Sequence, residues 1–183
     1  MEFIIAITGK RLSGKTTAAD YIGRKYRFVV LDYTRNVLLP LLMREGKTIS
    51  RKNLSDMATR IRLDNGNDML TRIICEHVRE GRNYVISGLR FPEEAEYLRS
   101  RYGNKFRLIS IQCSDRIRYE RIMSGSDKED SRISFGKFME MENLPTEKPI
   151  PKTMELADFT IVNEGSEKEL EKKIDMVMEQ IQS

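Results

Sequence analysis

The chain has 183 residues, 39% hydrophobic and 33% charged, which excludes a disordered chain and suits one domain burying about two thirds of its unfolded surface. Its 32 basic and 28 acidic residues (net +4) are interleaved, and with no Trp and 8% aromatics there is no basic stripe with stacking platforms, so the expected partner is a small anionic molecule and not nucleic acid. No window approaches the roughly 18 apolar residues of a membrane helix, and the opening MEFIIAITGK lacks a signal peptide's basic leader and cleavage site.

In chain order, residues 3–8 (FIIAIT) form a continuous apolar run, as expected of a strand buried on both faces. A Gly-bracketed loop follows, then a helical pattern over 15–26. Residues 27–31 (RFVVL) read as a second strand, followed by a helix-like run with Val37, Leu38, Leu41 and Leu42. Residues 53–80 carry helical apolar spacing, interrupted by Asp64-Asn65-Gly66-Asn67. Residues 83–87 give a third strand, and Pro92 opens a helix ending near Gly103. Residues 106–112 give a fourth strand, and 114–123 a helix. The polar run 124–130 has no apolar period and reads as a loop. A helix over 135–142 leads into a Pro-punctuated segment, 144–152. Residues 158–162 are the last strand, and Ser166 caps a C-terminal helix. Strands alternating with helices predict an α/β fold, a three-layer α/β/α sandwich on a five-stranded parallel sheet.

The strongest motif is Gly9-Lys10-Arg11-Leu12-Ser13-Gly14-Lys15-Thr16, which satisfies G-x-x-x-x-G-K-[ST] between the first strand and the first helix. The glycines let the backbone curl so that consecutive N–H groups face a phosphate chain, and the helix N-terminus adds partial positive charge. In that setting Lys15 reaches the β- and γ-phosphates of a nucleoside triphosphate, Thr16 takes a place on Mg²⁺, and Thr17 follows in the same turn. ATP and Mg²⁺ are the expected cofactors. Lys10 and Arg11 could add positive charge near the transferred phosphate. The N-K-x-D pattern of switch GTPases is absent, which leaves a small kinase as the favoured class.

The spacing resembles the nucleoside-monophosphate-kinase branch of P-loop proteins over essentially the whole chain. Residues 9–20 (GKRLSGKTTAAD) and 84–99 (YVISGLRFPEEAEYLR) look like phage-type deoxynucleoside monophosphate kinases. Residues 111–165 (IQCSDRIRYERI, then ADFTIVNEG) look like archaeal adenylate-kinase-related and dephospho-CoA-kinase-like proteins. The GKRxSGK loop is also similar to that of animal-type phosphomevalonate kinases. The resemblance implies a P-loop kinase of one domain, residues 1–183, with a helical acceptor arm over about 34–82 and a short lid over about 124–135. It implies acceptor-binding roles for Asp32, Arg35 and Arg90, and catalytic roles for Lys15, Asp32, Arg90, Arg118 and Arg121. Arg118, Arg121 and Arg132 match lid arginines that neutralise the moving phosphoryl, and Asn163-Glu164-Gly165 matches the turn beside the adenine. One departure stands out. Relatives place an acid at the end of the third strand to hold the metal's water shell, whereas this chain reads Ser87-Gly88; Asp32 is the expected substitute, with Thr16, on the metal.

The expected arm, with Tyr33 at its edge, contains ten basic residues and no aromatic one, which suits a small acceptor bearing a phosphate and a carboxylate. Together with GKRxSGK this favours a mevalonate phosphate in isoprenoid synthesis. The alternatives are a (deoxy)nucleoside monophosphate, dephospho-CoA, or a non-catalytic nucleotide-binding module. Cys75 and Cys113 have no ligand or redox spacing and read as reduced, buried thiols of a cytoplasmic protein, and His77, the sole histidine, reads as structural. A monomer or homodimer is expected.

Overall fold

The computed structural model describes residues 2–124 and 133–183. Five strands, β1 (Ile4–Thr8), β2 (Val29–Asp32), β3 (Tyr84–Leu89), β4 (Phe106–Gln112) and β5 (Phe159–Val162), form one all-parallel sheet in the order β2-β3-β1-β4-β5. Among the described residues the helices are α1 (Lys15–Tyr26), α2 (Leu39–Arg44), α3 (Arg51–Asn65), α4 (Met69–Cys75), α5 (Pro92–Tyr102), α6 (Asp115–Met123), α7 (Phe135–Met141), α8 (Ile150–Glu155) and α9 (Glu167–Gln182). The central strand explains the layering. Alternate side chains of β1 point to opposite faces, so Ile4 and Ala6 pack with Leu38, Leu42, Leu70 and Leu98, while Ile5 and Ile7 pack with Ala18, Ile22, Ile174 and Met178. Helices therefore cover both faces, and the expected three-layer sandwich is what forms.

Where boundaries differ from the sequence reading, backbone conformation is the reason. Arg27 ends α1 in the left-handed region (φ +59°), so β2 starts at Val29 rather than at Arg27. The run after β2 begins as a π-helical turn, Thr34–Leu38, before it becomes α2. Gly66 (φ +98°) does end α3 inside the expected break. The Pro-punctuated segment contains α8, because Pro151 sits in its first turn, where a missing N–H costs nothing. Cys75 is buried as expected, but Cys113 is only half-buried, and His77 is exposed. No helix of the described residues is long and apolar enough to cross a membrane.

Two features position the site. The C-terminal ends of β1 and β3 meet where the chain's crossovers change direction, the place where open parallel sheets collect ligands. The register there slips, with Ile7 opposite Ser87 but Thr8 opposite Leu89, which bulges Gly88 (φ +101°) out of the ladder. Such bulges re-aim neighbouring side chains.

Candidate active site

The loop after β1 turns tightly enough for the Ser13 N–H to donate to the Lys10 carbonyl at 3.2 Å. Gly9 and Gly14 lie at positive φ, and a Cβ at either would collide, with the Ile111 carbonyl oxygen at Gly9 and with Asn163 Nδ2 at Gly14. Both positions are therefore confined to glycine. Leu12 is also left-handed (φ +63°), a strain the surroundings must hold, and Arg121 Nη1 does so by donating to its carbonyl at 3.0 Å. The first turn of α1 has no acidic residue and no side-chain cap, which leaves its N–H groups for an anion. This cradle fits a phosphate chain.

Two further side chains fasten the loop from outside. Asn163 Nδ2 donates to the Ser13 carbonyl at 2.8 Å, and its own carbonyl accepts from Arg121 Nη2 at 3.0 Å. Arg118, fully buried, donates to the Arg11 carbonyl at 3.0 Å, forms a two-pronged pair with Glu142 at 2.9 Å on each prong, and meets Asp115 at 2.5 Å. Lys10 Nζ lies 3.2 Å from Glu142 and 3.5 Å from Asp115. The two lid arginines expected from the sequence thus hold the loop's backbone, and Arg118 carries its own carboxylates.

Lys15 Nζ donates to the Lys10 carbonyl at 2.8 Å. Burial pushes its pKa down to about 7, and the neighbouring Arg90, Arg118 and Arg11 push the same way against Glu142. A lysine this crowded by cations gains its charge fully when anionic oxygens arrive.

Two cavities meet at the loop. One, of about 390 Å³, lies between the loop and the β5–α9 turn and is lined by Leu12, Arg121, Asn163 and Leu170. The other, of about 470 Å³, lies under α3 and the residues after α7, and is lined by Asp32, Tyr33, Arg62, Ser87, Arg90, Phe138 and Glu147 among others. Lys15 and Thr16 line both. Asp32 stands opposite Ser87 in the β2–β3 register and accepts from the Arg35 N–H at 3.0 Å. Its carboxylate and the exposed Thr16 hydroxyl line the same cavity and have the chemistry that would suit a hydrated Mg²⁺; the described residues contain no cluster of three or more His, Cys, Asp or Glu that could hold a metal ion.

The structure therefore brings together Lys15, Thr16, Asp32 and Arg90 around the larger cavity. It leaves Arg35 exposed and outside that lining. Arg132 and most of the expected lid lie outside the described residues. Three residues were not singled out as site residues from the sequence. Arg62 donates to the fully buried Glu94 at 2.9 Å and stacks over Phe91 at 4.6 Å. Glu94 also accepts the Arg90 N–H at 2.7 Å and the Phe91 N–H at 3.1 Å. Glu147 pairs closely with Arg90. Glu94 could have been read as a helix-capping acid two residues after Pro92, but nothing local pointed to Arg62 or Glu147.

The family model described as "AAA domain" matches residues 5–144. A UPF0200 protein of Pyrobaculum aerophilum is 31% identical over 177 residues, covering 96% of each chain. A UPF0200 protein of Aeropyrum pernix is 28% identical over 92% of this chain and 88% of its own. A UPF0200/UPF0201 protein of Archaeoglobus fulgidus is 29% identical over 96% of this chain, which spans only 54% of that longer relative. Among solved structures, shikimate kinase from Bacteroides thetaiotaomicron superposes with a TM-score of 0.65 at 16% identity, covering 99% of both chains. A gluconokinase from Sinorhizobium meliloti gives 0.62 at 12% identity, covering 98% of this chain and 95% of that one. A sheet, cradle and loop of this kind, matched end to end, make the chain a member of the UPF0200 family with an AAA-domain match and a P-loop kinase-like fold.

Proposed function

We propose that the protein is an ATP-dependent small-molecule kinase that transfers the γ-phosphoryl of Mg-ATP to a small phosphorylated acceptor. The observation that carries this reading is that Lys15 and Thr16 line both cavities, so a nucleotide in one presents its terminal phosphate to a molecule in the other. The nucleoside fits between Arg121 and the Asn163 turn. Lys15 exchanges the Lys10 carbonyl for phosphate oxygens, and the charge it then carries stabilises the transferring group. Thr16 and Asp32 would hold the Mg²⁺, which when bound would neutralise charge on the phosphates. Arg90 grips the acceptor; Asp32, where it is not on the metal, orients a hydroxyl nucleophile, and an acceptor that attacks through a phosphate needs no base. Catalysis then rests on positioning and electrostatics.

The favoured acceptor is a mevalonate phosphate, supported by the cationic lining (Arg51, Arg62, Arg90) and the GKRxSGK loop. A nucleoside monophosphate is the second reading, and one observation favours it. Tyr33, at the edge of the expected arm, and Phe138, from beyond it, are among the residues lining the same cavity and are aromatic, which no residue of the arm itself is. A coupled ADP-release assay with Mg-ATP tests both, using nucleoside monophosphates, mevalonate, its 3- and 5-phosphates and dephospho-CoA, with Lys15→Ala as the blank. Turnover with a mevalonate phosphate alone supports the first reading, and turnover with a nucleotide the second. ATP binding without acceptor-dependent ADP from any compound turns the reading to a non-catalytic module.

A further inference from the structure

The larger cavity contains an arrangement that the proposed transfer does not by itself require. Arg62 is 7% exposed, and its Nε has no hydrogen-bond partner among the described residues. It cannot swing away to find one, because Glu94, fully buried, holds its Nη2 while also accepting the N–H groups of Arg90 and Phe91. A single carboxylate thus fixes one guanidinium and the start of the helix that follows the other. Its charge is matched to Arg62, so Arg90 needs a counter-ion of its own. That counter-ion is Glu147, from the turns between α7 and α8, and the neighbouring Thr146 carbonyl lies 3.4 Å from Arg90 Nη1.

Resting on the acceptor-site reading above, we infer that Arg62 and Arg90 form a two-arginine seat for an oxyanion group of the acceptor, and that Glu147 is a built-in occupant which the acceptor displaces. The charges explain why. With Glu147 in place these two arginines and two carboxylates balance; once it leaves, the pair carries net positive charge and Arg90 has donors free for an incoming oxygen. The fixed Arg62 sets where the anion lies, and the exchangeable Arg90–Glu147 pair sets how costly entry is. Five residues earlier, Glu142 anchors the same stretch of chain to Arg118 beneath the P-loop, so residues 143–147 bridge from the nucleotide side to the seat. The occupant raises the threshold for weak anions such as water-borne carboxylates and leaves the seat to an acceptor that offers more contacts.

Phosphorus NMR line broadening of inorganic phosphate, with the P-loop filled by saturating Mg-AMPPNP, tests the seat. Glu147→Gln is expected to bind phosphate about tenfold more tightly than wild type, equivalent to about 1.4 kcal/mol. Arg90→Ala is expected to lose the site, and Glu140→Gln, an exposed carboxylate on α7, to match wild type. The same titration competed with acetate separates the two oxyanion classes: displacement at equal concentration assigns a carboxylate, and resistance assigns a phosphate. Equal phosphate affinity in wild type and Glu147→Gln, or undiminished affinity in Arg90→Ala, overturns the inference. Failure of AMPPNP to bind would sink the nucleotide reading instead, and the seat would then be read from the same variants without it.

Discussion

The two halves of the site are held in different ways. Around the P-loop, side chains grip backbone: Asn163 takes the Ser13 carbonyl, Arg121 that of Leu12 and Arg118 that of Arg11. Across the larger cavity the main ties run between side chains, Arg62 with Glu94 and Arg90 with Glu147, although Glu94 also accepts two backbone N–H groups and Arg118 beneath the P-loop has carboxylate partners of its own. A backbone cradle presents the same N–H groups whatever the neighbouring residues are, so it suits a ligand common to many proteins. Side-chain pairs can be exchanged one at a time, so they suit the ligand that distinguishes one protein from another.

That contrast is open to experiment. The largest effect is expected from Lys15→Ala, which removes the charge shared by both halves; phosphoryl transfer should fall by about 10²–10³, read as the initial rate of ADP release at saturating ATP. Next in size is Arg118→Met, which leaves the nearly buried Glu142 with Lys10 as its remaining partner and should cost about 2 kcal/mol, seen as a melting temperature lower by about 4–8 °C. Adding Glu142→Leu should recover most of that loss, whereas no recovery would mean that Arg118 acts through its grip on the loop carbonyl alone.

The effect of pH is smaller and has a definite sign. Lys15 titrates at about 7 in the empty protein, and bound phosphates raise that value. Below pH 7 the lysine is already charged and binding takes up no proton. Above it, binding takes up one, so nucleotide affinity should fall by up to about tenfold per pH unit. Calorimetry in buffers of different ionisation enthalpy should report this uptake in wild type and none in Lys15→Met. The smallest effect is expected from Asn163→Ala, which loosens one tie on the loop and should raise the KM for ATP by about five- to tenfold through one lost buried hydrogen bond. An equal rise for the acceptor would break the division between the halves.

The same division explains what could be read from the sequence. The strands and the P-loop follow from local patterns: apolar runs at strand length, glycines where only glycine fits, and Lys15-Thr16 at the start of a helix. The larger cavity is assembled from residues far apart in the chain. Arg62 meets Glu94 across 32 positions and Arg90 meets Glu147 across 57, and no periodicity encodes such pairings. Arg35 stands apart. The resemblance implied a grip on the acceptor, while the π-helical turn places its N–H on Asp32 and its side chain is exposed, outside the lining of the larger cavity. Arg118 was singled out by resemblance, and its partner Glu142 was not, because that residue arrives from beyond α7.

The Asn163 tie has a consequence for biosynthesis. The Gly-x-x-x-x-Gly-Lys-Thr loop is made within the first sixteen residues, but the side chain that closes against Gly14 emerges near the other end of the sequence and is placed only when β5 pairs with β4. A nascent chain stalled before Phe159 would carry the whole motif without the clamp. Such a chain is expected to hold ATP more weakly than the whole protein, by at least the roughly five- to tenfold expected for Asn163→Ala, a difference that retention on an ATP resin would read.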